Sequence, residues 1–169
     1  MASERILIAE DSPTQAEALK LILEGEGWTA DVVDNGHVAL ERAASGAGDL
    51  VLADVTMPEL DGYALCRAIR AEPGIAELPV VMLSALDDPA ALAEGLAAGA
   101  DGWVRKPVEV DELLAGLGRL LERQRARRAR RRGWAERLQR SLEALDDVRS
   151  THAAALDELA GLVRELRED

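Results

Sequence analysis

The chain is poor in cysteine, aromatic residues and long apolar runs. A single cysteine, Cys66, stands in 169 residues, so no internal disulfide can form and a disulfide scaffold is excluded. That usage points to a reducing, cytoplasmic address. No apolar stretch approaches the roughly 20 residues needed to span a bilayer. The opening MASERILIAEDS has no basic segment leading into a long apolar one, which argues against a secretory signal. Proline disappears from the last third, since all 6 fall between Pro13 and Pro107. Basic charge is also scarce in the first part. Residues 1–122 hold 8 Lys+Arg against 23 Asp+Glu (−15), whereas residues 123–169 hold 12 Arg against 9 Asp+Glu (+3), which recovers the total of −12. A body that acidic repels nucleic acid and anionic lipid, so it offers no membrane partner.

Hydrophobic residues make up 48% of the chain, enough for one real core. Collagen and low-complexity disorder are excluded by the same composition. Two regions follow: a compact domain over residues 1–122 and a helical extension over residues 123–169.

Within the first region, short apolar runs alternate with amphipathic stretches. Strands are predicted at 5–9, 28–33, 49–54, 78–83 and 102–105. Helical spacing follows each, at 13–24, 38–44, 62–71, 89–98 and from Val110 onward. Five β–α units in about 120 residues, with strands apolar on both faces, imply a doubly wound α/β fold with a buried parallel sheet. In such sheets chemistry collects beyond the carboxyl ends of the strands. Those ends present Glu10 and Asp11, then Asp54, Ser84 and Lys106. Three clustered carboxylates need a proton or a cation. A set of oxygen donors with no histidine or usable cysteine suits Mg²⁺. An ammonium and a hydroxyl beside an aspartate nucleophile make a cradle for a phosphoryl group.

These residues resemble the receiver domain of two-component response regulators. The resemblance spans residues 4 to about 121. It rests on Ile8-Ala-Glu10-Asp11-Ser, on DVTMPELDG from Asp54 to Gly62, on Leu83-Ser84-Ala85, and on Gly99 to Pro107. It implies a flavodoxin-like sheet of five strands in order 2-1-3-4-5. By resemblance Asp54 is the phosphoacceptor. Asp11 ligates Mg²⁺ directly, Glu10 acts through water, and the Thr56 backbone carbonyl completes the metal set. Ser84 is the switch hydroxyl, Ala85 the small residue beside it, and Lys106 the partner of the phosphoryl group. Trp103 occupies the place of a rotating aromatic, where the family usually has Tyr or Phe. The Lys106–Pro107 bond is cis in that family. His37 reads as a surface residue and Cys66 as a small buried hydrophobe. A phosphohydrolase of the haloacid dehalogenase type would need Asp-x-Asp at the end of the first strand, where this chain has Glu10-Asp11-Ser-Pro.

One heptad frame runs from Leu114 to Leu166. Leu138, Leu142, Leu145, Leu156, Leu159, Val163 and Leu166 are its apolar a and d positions in the second half. The middle is poor: RQRARRARRR covers 123–132, and Gly133 follows. Either one long helix continues to about residue 168, or the chain bends near Gly133 into a separate helix. A leucine-rich face of this width implies a homodimer through a coiled coil or bundle. The arginine run lacks interleaved aromatics and any helix-turn-helix pattern, so a solvated face, or pairing with acidic receiver surface, is preferred over nucleic acid.

The sequence thus implies a phosphoacceptor rather than an enzyme. A histidine kinase, or a phosphotransfer protein, donates to Asp54 with Mg²⁺. Ser84 and Trp103 then shift and reshape the face formed by helix 87–98, the fifth strand and the last helix. The alternative is the front part of a longer signalling protein with a cyclase, kinase or phosphatase output. The ending RELRED, mid-heptad, fits that alternative. A DNA-binding regulator is the third reading.

Overall fold

A computed structural model describes the backbone of residues 3–85 and 89–168, with side chains described to residue 160. Five strands and five helices alternate: β1 (Arg5–Ala9), α1 (Pro13–Gly25), β2 (Thr29–Val33), α2 (Gly36–Ala44), β3 (Leu50–Asp54), α3 (Gly62–Ala71), β4 (Val80–Ser84), α4 (Pro89–Ala98), β5 (Gly102–Arg105) and α5 (Val110–Glu168). The sheet is wholly parallel, in the order β2-β1-β3-β4-β5. The doubly wound α/β fold read from the sequence is therefore present. The predicted helix start at 87 falls partly outside the described residues, and α4 begins at Pro89.

Side-chain alternation divides the core between the two faces of the sheet. Leu7, Val51, Ala53, Val80 and Met82 face α2 and α3, meeting Ala39, Ala43, Leu65 and Ile69. Ile6, Ile8, Leu50, Leu52, Val81 and Leu83 face the other way, onto Leu19 and Leu23 of α1 and Leu113, Leu117 and Leu121 of α5. Every residue of β3 and β4 is buried, which explains their unbroken apolar character.

The helix starts are fixed by local chemistry. Pro13 opens α1 after Ser12, where a missing N–H costs nothing. Asn35 caps α2, its side chain accepting from Val38 N at 2.9 Å. Asp61 caps α3 in the same way, accepting from Ala64 N at 2.7 Å.

The chain divides into two compact units, Met1–Arg125 and Ala126–Asp169. α5 contributes residues to both, and Gly133 is helical within it. One part of the heptad reading is corrected. Its first a and d positions, Leu117, Leu121 and Gln124, are buried in the first unit, because that stretch of α5 covers the sheet. Glu4 and Arg125 form an ion pair within this unit. In the second unit Leu138, Leu142, Leu145, Leu156 and Leu159 are all more than half exposed. Val163 and Leu166 lie outside the described side chains. Among the described residues, no helix is long and apolar enough to cross a membrane.

Candidate functional site

Register brings the strand ends together. Ala9 pairs with Ala53, Asp54 with Leu83, and Ser84 with Arg105. The ladder continues one step further: Val55 N donates to Leu83 O at 2.9 Å, and Lys106 N donates to Ser84 O at 2.8 Å. Glu10, Asp54, Ser84 and Lys106 thus emerge at one rim, although they lie far apart in sequence.

Carboxylate oxygens of Glu10, Asp11 and Asp54 lie within 4.8 Å of one another. Glu10 and Asp54 are buried, whereas Asp11 is exposed. Lys106 Nζ donates to Glu10 Oε2 and to Asp54 Oδ2, both at 2.8 Å. The opposite oxygens accept from backbone: Glu10 Oε1 from Ser12 N at 3.2 Å, and Asp54 Oδ1 from Thr56 N at 3.2 Å. Each buried acid is therefore held by one amide and one shared ammonium, which offsets the cost of burying charge. Burial alone would lower the Lys106 pKa. The hydrogen bonds and charges of Asp54 and Glu10 outweigh it and hold the ammonium above its ordinary range.

The donor set fits a hard divalent cation. It is oxygen-only, clustered and open on the Asp11 side. Glu10, Asp11 and Asp54 are the side chains that would hold such an ion. Ser84 is buried at the end of β4, and Ala85 is exposed beside it. Thr56 is exposed two residues past Asp54. The Lys106–Pro107 peptide is cis.

Trp103 sits apart from the acids. Its ring stacks near Tyr63 of α3, with centroids 6.4 Å apart and planes inclined by 25°. A Cβ on Gly95 of α4 would lie 2.6 Å from Trp103 Cζ3, so that glycine forms a notch for the indole. Tyr63 Oη donates to Ala91 O at 3.1 Å, which ties α3 to α4 beneath the ring.

Some positioning residues gave no sequence signal. A Cβ on Gly62 would come within 2.4 Å of the Asp54 carbonyl oxygen, and one on Gly36 within 2.4 Å of the Leu60 carbonyl oxygen. Between these two close approaches runs the loop after Asp54, with Glu59 at φ 66°. Arg70 donates to the carbonyls of Gly99, Ala76 and Leu78 and to Asp101 Oδ2, holding the turns around β4 and β5. Gly62 entered the sequence reading only as the last residue of the DVTMPELDG run and the first of a helix. His37 is exposed, and Cys66 is buried with its Sγ donating to Ala98 O at 3.2 Å. Burial pushes the Cys66 thiol up, against the pull of Arg70.

Residues 6–117 match the response regulator receiver domain family. The chain belongs to that family. The receiver is 39% identical over 120 residues to the DNA-binding response regulator MtrA of Mycolicibacterium smegmatis, covering 71% of this chain and 51% of that protein. The chain thus spans about half the length of the curated relatives it matches. A receiver domain of a signal transduction histidine kinase from Syntrophus aciditrophicus is 43% identical, with TM-score 0.67, covering 71% of this chain and 91% of that one. The receiver domain of the sensor histidine kinase PA1611 from Pseudomonas aeruginosa is 30% identical, with TM-score 0.67, covering 72% of this chain and 99% of that one. That solved structure is described with a magnesium ion coordinated in its active site cleft.

Proposed function

We propose that this receiver accepts a phosphoryl group on Asp54 from a histidine kinase or a phosphotransfer protein, with Mg²⁺, and signals through a dimeric helical extension. The observation that carries the reading is the cluster of Glu10, Asp11 and Asp54 within 4.8 Å, bridged by Lys106.

In this reading an Asp54 carboxylate oxygen attacks phosphorus. The phosphorus–nitrogen bond of the donor breaks, and the imidazole nitrogen leaves with its electron pair. Glu10, Asp11, Asp54 and the Thr56 carbonyl would hold Mg²⁺, which when bound neutralises charge on the transferring group. Lys106 supplies a fixed cation to the same oxygens, and Ser84 supplies a hydroxyl at the adjacent strand end. Asp54 is a stoichiometric acceptor, so the chain acts as a switch and not as an enzyme on a separate substrate. Phosphorylating Asp54 turns its carboxylate into an acyl phosphate, so Lys106 exchanges that carboxylate oxygen for phosphoryl oxygens, and Ser84 and Trp103 respond. The leucine face of α5 in the second unit is the output surface, paired with a second copy.

Incubation with a small phosphodonor and Mg²⁺, read by intact mass and light scattering, tests this. Wild type gains one phosphoryl group, whereas Asp54→Asn gains none. Equal labelling of both proteins would remove Asp54 from the role. A dimer seen with Lys106→Ala that labels but no longer changes assembly would support the coupling.

A second reading is favoured by the similarity to MtrA of Mycolicibacterium smegmatis, a DNA-binding response regulator. It predicts duplex binding through Arg123–Arg132 that falls steeply as salt rises. Salt-insensitive or absent binding would leave the first reading alone.

A further inference from the structure

We propose that the extension pairs with a second copy of this chain in antiparallel orientation, about an axis between Ser150 and Thr151. The inference rests on the homodimer reading above and adds its direction and register.

The surface is a helical stripe whose leucines are exposed among the described residues. Leu138, Leu142, Leu145, Leu156 and Leu159 are 53–66% exposed on α5. They alternate at a and d positions, interrupted once by Arg149 at a and His152 at d. Upstream, Arg128 and Arg131 take the same a and d positions.

A parallel, in-register pair stacks every position on its own copy. Arg128, Arg131 and Arg149 would then each face the identical arginine. Arg127 at g would also face the partner's Arg132 at e. Each such contact sets like charges together in a seam where water is being removed.

Antiparallel pairing places a opposite d. With the axis between residues 150 and 151, Leu142 meets the partner's Leu159, and Leu145 meets the partner's Leu156. These apolar layers of the parallel pair are kept, and no arginine meets its own counterpart. The polar positions collapse into one central pair of layers, Arg149 against the partner's His152. Arg149 already has its counterion, since Asp146 Oδ1 lies 2.8 Å away one turn back. His152 Nδ1 lies 3.1 Å from the Val148 carbonyl oxygen. Flanking g positions agree, with Val148 opposite the partner's Ala155. Ser150 and Thr151 stay on the outer side and satisfy their hydroxyls on the carbonyls of Asp146 and Asp147. A central polar layer of this kind fixes register, because sliding by one heptad would set arginine against leucine.

The test is a distance. In full-length Cys66→Ala protein, a spin label is attached at Glu136→Cys, an exposed outer position. Antiparallel pairing separates the two labels by about 29 residues of helix axis, or about 43 Å at about 1.5 Å per residue. Parallel pairing leaves them about 20 Å apart, roughly two helix diameters. A dipolar distance of about 48 Å, the axial offset combined with the ~20 Å between outer positions of paired helices, with a dimer mass by light scattering supports the proposal. A dimer with the short distance overturns the orientation and leaves the homodimer standing. A trimer or larger bundle overturns the two-stranded pairing. A monomer at every concentration, with no dipolar signal, overturns the homodimer reading itself. Disulfide trapping gives an independent readout: Leu145→Cys mixed with Leu156→Cys should cross-link in the mixture, and neither variant should cross-link alone. Cross-linking of each variant alone would count against the register.

Discussion

Replacing Gly62 with alanine tests whether the loop after Asp54 is held by exclusion of side-chain volume. The added Cβ would lie 2.4 Å from the Asp54 carbonyl oxygen and 2.9 Å from Val55 Cα. Relaxed carbon contacts lie at about 3.5–4.0 Å, so α3 must lift from β3 by about an ångström. Both offending atoms are backbone, one in Asp54 at the end of β3 and one in buried Val55 just after it, and neither can swing aside. Lifting α3 also stretches the bond from Gly62 N to Val55 O, now 3.1 Å. Overpacking of this kind costs about 1–3 kcal/mol, against about 1 kcal/mol or less gained from helix propensity at a first-turn position. Net destabilisation of about 2 kcal/mol should lower the urea midpoint by about 1 M, followed by tryptophan fluorescence. Gly116→Ala is the control. Nothing lies within 4 Å of its added Cβ, and it sits inside α5, so it should stabilise by about 0.5–1 kcal/mol. A Gly62→Ala midpoint equal to or above wild type would refute the reasoning, as would parallel shifts of both variants.

Other perturbations should behave as follows. Lys106 has a raised pKa, so the stability it contributes is complete below the ordinary value of 10.5 and is lost as pH rises through the folded value. Wild type should therefore outlast Lys106→Met in denaturant at neutral pH, and the gap should close above about pH 10.5; a constant gap up to pH 12 would contradict this. Added Mg²⁺ should raise the unfolding temperature, by about 2.7 kcal/mol of stabilisation at a hundredfold excess over its dissociation constant, and Asp11→Asn should abolish most of that shift. Equal shifts in both proteins would place the ion elsewhere. Gly95→Ala should displace the Trp103 ring, changing near-ultraviolet circular dichroism and costing about 1–3 kcal/mol. An unchanged spectrum would mean that the indole does not use the notch.

Much of the fold was legible because its signal is local. β3 and β4 read as unbroken apolar runs, since helices cover both their faces. Pro13 marked a helix start to the residue. The boundaries that drifted are strand starts: Trp28, Asp49 and Leu78 precede strands that begin later. The acidic cluster was legible from strand-end position alone. The double grip of Lys106 was not, because its partners lie 96 and 52 residues away and only the sheet order brings them within reach. The Gly95 notch and the four donors of Arg70 were hidden for the same reason. The heptad frame misled at its start because one leucine pattern serves two purposes. Leu117 and Leu121 close the sheet, and only later leucines are exposed.

The loop that follows Asp54 passes between two places where even a methyl group is forbidden, one against Gly36 and one against Gly62. Its path is set by matter that is missing. Such a passage cannot be repaired by a compensating side chain, because the obstructing atoms belong to peptide units common to all residues. Random substitution at either glycine should therefore be purged far more strictly than at the leucines around it, which can trade volume among themselves.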